Sequence, residues 1–140
     1  LVSWSSRLQP TVALSTAEAE YMAISAAAQD VIFLRQLLVD LGEPMAGPTT
    51  IFTDNQAAIT IGSDRATKPR TKHIRTRHHF VRELIADDTI VLKHCPGTSM
   101  VADALTKALG KQVLEQHVPK LASRPADVHD KQTNAVEGEC

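Results

Sequence analysis

The sequence predicts an α/β fold in which helices cover a sheet, and three observations carry that expectation. Apolar residues recur at helical spacing through residues 16–41, two short β-prone runs at 49–53 and 89–94 are bounded by turn formers, and helical and extended segments alternate along the chain. At 140 residues the chain is the size of one domain.

Each element has a local reason. Leu1-Val2-Ser3-Trp4 reads as the end of a strand whose partners lie elsewhere. Ser15-Thr16-Ala17-Glu18 fits a capping box, a hydroxyl followed three residues later by Glu, and predicts a helix start. Ile24, Ala27, Ala28, Val31, Leu34, Leu38 and Leu41 carry that helix to about Leu41, where Gly42 and Pro44 stop it. Thr49 to Thr53 is a strand, followed by a short helix from Gln56 to Ile61 that stops at Gly62. After Pro69 a second long helix covers Thr71 to Ala86, with Ile74, Phe80, Val81, Leu84 and Ile85 as its apolar contacts and Asp87-Asp88 as its end. Thr89 to His94 is another strand and Cys95-Pro96-Gly97 a turn. Ser99 is a candidate cap for a helix through Leu109, with a further helical turn or two from Lys111 to Leu121. From Ala122 the pattern disappears, and residues 122–140 are expected to be a disordered tail.

Composition narrows the function classes. Fifteen Lys and Arg against sixteen Asp and Glu exclude a histone-like polycation, yet residues 65–82 hold seven of the bases and no acid. No run of about 18 apolar residues is evident, so no membrane span is expected, and no basic start precedes an apolar stretch at the amino end. Cys95 and Cys140 are too few and too far apart for a disulfide framework or a Cys-rich zinc site, and a reducing intracellular setting is the default. Aromatics make up only 4%, which disfavours a base-stacking platform for single strands.

Three acids fall at element ends. Glu20 lies about 40° around the first helix from Ile24 and shares its buried edge, whereas Glu18, about 240° away, does not. Asp54 ends a strand, at the edge where open α/β sheets bind ligands. Asp103 falls in the first turn of a helix. Grouped carboxylates are costly unless neutralised, and a hard divalent cation such as magnesium would do so. The plainer reading is that Asp54 or Asn55 caps a helix and that Asp103 answers a helix dipole.

Five segments, in order, carry a family likeness: residues 12–23 (Val-Ala-Leu-Ser-Thr-Ala-Glu-Ala-Glu-Tyr-Met-Ala), 53–59 (Thr-Asp-Asn-Gln-Ala-Ala-Ile), 70–74 (Arg-Thr-Lys-His-Ile), 79–83 (His-Phe-Val-Arg-Glu) and 102–107 (Ala-Asp-Ala-Leu-Thr-Lys). With their spacing they resemble the ribonuclease H domain at the end of copia-type retrotransposon polyproteins. The resemblance covers residues 1–121, the carboxyl-terminal part of such a domain, and leaves the tail outside it. It implies a ribonuclease H-like mixed sheet of five strands with helices on both faces, and hydrolysis of the RNA strand of an RNA–DNA hybrid during reverse transcription. It also implies two magnesium ions, with manganese as the alternative, about 4 Å apart on four carboxylates. Glu20, Asp54 and Asp103 match three of these; Glu18 belongs to the motif but not to the metal set.

The departures matter. The family's fourth carboxylate, an Asp, sits on a first strand upstream of the Val-Ser-Trp-Ser-Ser segment in which this chain starts, so the first strands and that Asp are missing and this fragment is expected to be inactive. Arg75 stands where relatives often carry an acid and Met100 where Gln is common, and residues 95–101 lack the His that assists cellular ribonucleases H. The implied partners are the hybrid and the reverse transcriptase region of the same polyprotein, and the implied setting is a cytoplasmic virus-like particle or the nucleus. Arg65, Lys68, Arg70, Lys72, His73, Arg75 and Arg77, with Arg82, His78 and His79, form a candidate phosphate-tracking surface; the plainer reading is a solvated helix face. The alternative to an enzyme is a non-catalytic nucleic-acid-binding remnant of a degenerate retroelement.

Overall fold

The computed structural model describes residues 3–10, 12–63 and 72–121, without the side chains of residues 63 and 72–75. Leu1 and Val2, Thr71 and the tail 122–140 lie outside the described residues; Ser3 and Trp4 belong to no strand. The chain forms two compact units, Gln9–Cys95 and a second made from the residues before Gln9 and after Cys95.

The larger unit opens with helix α1, Thr16–Asp40. Ser15 is extended and its Oγ accepts the Glu18 N–H at 3.2 Å. The return contact of the capping box falls one residue early, with the Leu14 N–H donating to Glu18 Oε2 at 2.6 Å. At the other end Gly42 has φ +81, the left-handed conformation open to a residue without Cβ. The Gly42 N–H then donates to Val39 O and the Glu43 N–H to Leu38 O, which closes the helix as a Schellman turn. Helix α1 is long and apolar enough to cross a membrane, contrary to the expectation from the sequence. The reason is an apolar composition on more than one side: Tyr21, Ile24 and Ala28 are buried, while Phe33 and Leu37 on the opposite side are exposed. A core helix meets the same test, and in α1 it is Tyr21, Ile24 and Ala28 that pack into the core.

Strands β1 (Thr49–Thr53) and β2 (Ile90–His94) pair in parallel, Thr49 opposite Ile90 and Thr53 opposite His94. The connection between them carries α2 (Gln56–Ser63) and α3 (Lys72–Ala86), a crossover of the kind parallel pairing requires. The core joins Tyr21, Ile24 and Ala28 of α1 to Ala58, Val81 and Ile90, with Ile51 and Leu92 packed against it from one side of the sheet. On the other side Phe52 is 39% exposed, although parallel sheets are ordinarily covered on both faces.

Two expected boundaries shift. Gly62 does not stop α2; it lies within it, where a Cβ would stand 3.0 Å from Leu92 Cδ1 and 3.6 Å from Tyr21 Cε2. This glycine allows close packing rather than ending a helix. Leu41 is 68% exposed instead of joining the core, because the Schellman turn carries it past the end of the buried stripe. Helix α3 ends at Ala86, and the turn that follows it contains Asp88, whose φ of +52 is a conformation Asp tolerates better than most side chains.

In the smaller unit the helix expected from Ser99 to Leu109 is instead two 3-10 turns, Gly97–Ser99 and Val101–Leu105, and Ser99 caps neither. Helix α4 spans Lys111–Leu121, the expected bounds, with Pro119 in its last turn.

Candidate functional site

The carboxyl edge of the parallel pair places Asp54. Strand β1 ends at Thr53, whose carbonyl accepts the Cys95 N–H at 2.9 Å, so the two strands finish side by side. The turn into α2 is made by Asn55: its Oδ1 accepts the Ala58 N–H at 3.1 Å, and its own N–H donates to Thr53 Oγ1 at 3.2 Å. The capping role that the plainer reading gave to either residue therefore falls to Asn55. Asp54 is exposed at the carboxyl edge of the strand pair, the edge where open α/β sheets usually bind ligands, and the cap is made by Asn55. Replacing Asn55 by Ala should cost about 1 kcal/mol of stability, measured by urea unfolding; an unchanged midpoint would show that the cap contributes nothing.

Glu20 is half-buried in the second turn of α1. The next residue, Tyr21, is 2% exposed, its hydroxyl donates to the His78 carbonyl at 3.4 Å, and its ring stacks on the His78 imidazole at 4.7 Å. Burial pushes the Tyr21 phenol up to about 12, against a smaller lowering by the Arg82 charge. His78 moves the other way: burial, then Arg82 and His79, lower its pKa from the ordinary 6.5. Sequence reasoning missed this pair. The spacing Tyr21, Ile24, Ala28 signalled a buried Tyr, and His78, Val81, Ile85 signalled a buried His within a run taken as a basic surface.

Asp103 belongs to the smaller unit, on the 3-10 turn Val101–Leu105 rather than an α-helix. Its carboxylate is held by Lys107, whose Nζ lies 2.8 Å from Oδ1 and 2.9 Å from Oδ2. The pair is partly exposed and of small energetic value, but any cation binding Asp103 must compete with the ammonium. Among the described residues no group of three or more His, Cys, Asp or Glu side chains is placed to hold a metal ion. Asp54 and Glu20 are oxygen donors of the class magnesium takes, yet the described carboxylates do not make a complete site.

Of the basic residues, Arg65, Lys68 and Arg70 lie outside the described residues, and Lys72, His73 and Arg75 are described only by their backbone in α3. Helical spacing puts positions 72, 75, 79 and 82 on the side of α3 away from buried Val81, while position 77 falls on another flank. Among the candidate positions within α3, 77 therefore lies off the stripe that 72 and 75 share.

No family model and no solved structure matches the chain. Curated relatives do. The Retrovirus-related Pol polyprotein from transposon TNT 1-94 of Nicotiana tabacum is 35% identical over 114 residues, 81% of this chain. Those from transposons RE1 and RE2 of Arabidopsis thaliana are each 29% identical over 120 residues, 86% of the chain. The chain spans only 8% of the length of each. By sequence it is homologous to a segment of the Pol polyproteins of retrotransposons.

Proposed function

We propose that this chain is the ribonuclease H region of a copia-type Pol polyprotein, acting on the RNA strand of RNA–DNA hybrids. In this reading Asp54 and Glu20 contribute to a magnesium site that other segments of the polyprotein complete, and Asp103, in the smaller unit, is a further oxygen donor of the same motif set. The position of Asp54 carries the reading: an exposed carboxylate at the carboxyl edge of a parallel strand pair, with the neighbouring cap already filled by Asn55. Magnesium, when bound, would activate water and stabilise the leaving oxygen of a phosphodiester. The chain's own residues would position the ion and the hybrid, with the basic positions of α3 meeting phosphates.

The test is loss of labelled RNA from a hybrid, with and without magnesium, for a longer polyprotein segment containing this chain and for its Asp54→Asn variant. The longer segment should cleave only with magnesium, and the variant should fall to the magnesium-free level. Equal cleavage by the two would remove Asp54 from the chemistry.

A second reading, a non-catalytic nucleic-acid-binding remnant, is favoured by the Lys107 ion pair that occupies Asp103. It predicts hybrid binding that weakens with salt and no cleavage in any context.

A further inference from the structure

The Tyr21–His78 contact joins the helix that carries Glu20 to the helix that carries the basic positions, and burial takes His78 off the phosphate-tracking surface expected from the sequence. The residue is 3% exposed, its ring is stacked at 4.7 Å and 25° on Tyr21, and its Nε2 is buried with no hydrogen-bond partner among the described residues. A neutral imidazole tolerates that setting as an aromatic surface. An imidazolium does not, because it adds a charge and makes both ring nitrogens donors, one of them buried with nothing to accept its proton.

We propose that His78 is a positioning residue of the nucleic-acid site: as the neutral imidazole it clamps α3 to the Tyr21 turn of α1, next to Glu20, and protonation loosens the clamp. The inference rests on the proposed function for its nucleic-acid half only, since the clamp itself is a property of the packing.

The surroundings offer an imidazolium little relief. On α3 itself the neighbouring charges that act on the ring are Arg82 and His79, both of which oppose protonation. Helix α1 brings the Tyr21 phenol, with Glu20 one residue before it and about 100° round the helix. Helix α2 contains no ionisable residue, and strand β2 ends in Lys93 and His94, both exposed. Burial, then Arg82 and His79, hold the folded-state pKa below 6.5, so the unfolded chain takes up the proton first. The clamp is therefore fully present above about pH 6.5 and is lost progressively as the pH falls below that value.

The experiment compares the full chain with His78→Phe, which keeps an aromatic ring against Tyr21 and cannot titrate, and with His78→Gln, which removes the ring and the titration together. Amide exchange of α1 and α3 is followed at pH 7.5 and 5.5 after correction for intrinsic rates, beside binding of an RNA–DNA hybrid at the same two pH values. Opening of α3 in the parent should increase on acidification by up to about tenfold for each pH unit by which the His78 pKa lies below 6.5. His78→Phe should lack that part of the increase, and the ratio of parent to variant hybrid affinity should fall from pH 7.5 to 5.5. If the Phe variant does not fold, His78→Gln supplies the non-titrating comparison. The same acid response in the parent and in whichever non-titrating variant folds would overturn the clamp. Loss of the exchange response in the variant, with no hybrid binding by any protein at either pH, would sustain the clamp and defeat the proposed function instead.

Discussion

Replacing Tyr21 by Ala should lower the unfolding free energy by about 3–5 kcal/mol, the range for truncating a large buried aromatic. Native domains hold only about 5–15 kcal/mol in total, so the variant should be largely unfolded or close to it at 37 °C. The size of the effect follows from position. Tyr21 is 2% exposed, stacks on His78 and meets the space left open at Gly62, so one side chain ties α1 to both α2 and α3. Tyr21→Phe keeps the ring and removes only a long 3.4 Å hydrogen bond, so its cost should stay within about 1 kcal/mol. Urea unfolding followed by far-ultraviolet circular dichroism checks both. A Tyr21→Ala protein as stable as its parent would mean that the α1–α2–α3 packing contributes little to the fold.

Gly62→Val should destabilise by about 1–3 kcal/mol through overpacking. Leaving glycine in a helix recovers about 0.5–1 kcal/mol of backbone entropy, which offsets only part of that loss. The added branches have no room: the Cβ alone would stand 3.0 Å from Leu92 Cδ1, 3.5 Å from Ile85 Cδ1 and 3.6 Å from Tyr21 Cε2. Gly62→Ala separates the two contributions, because the tightest neighbour is the mobile end of a leucine; it should lie near the parent. Thermal unfolding of the three proteins decides the matter, and an unshifted or raised midpoint for the Val variant would show that α2 does not approach the sheet this closely.

Most of the element pattern was legible because it rests on local rules. The capping box at Ser15 and Glu18, the glycine after α1 and the β-prone runs at 49–53 and 90–94 all act over four or five residues, and the structure follows them closely. Gly62 was misread for the opposite reason. A glycine that ends a helix and one that admits a neighbouring strand look the same in sequence, and only the positions of Leu92 and Tyr21, far away along the chain, distinguish them. The segment around Asp103 was misread because its weak helical pattern is outweighed by the geometry after Pro96, which gives short 3-10 turns. His78 was hidden by its company: within Arg75-Thr76-Arg77-His78-His79 it reads as one more surface base, although its spacing to Val81 and Ile85 places it on the core side of α3.

The sequence by itself determined the alternation of helices and strands, the acids at their ends, and the likeness to retrotransposon polyproteins, because each depends on short-range pattern or on residue identity in register. Tertiary structure alone decided that Asn55 takes the cap and leaves Asp54 at the sheet edge, that Lys107 holds Asp103, and that Tyr21 and His78 share a buried stack. The stack joins groups 57 residues apart that exclude water from one another, and burial of that kind is set only when the elements pack; the Asn55 cap and the Lys107 pair span three and four residues, and the backbone of the folded chain selects them among equally local alternatives.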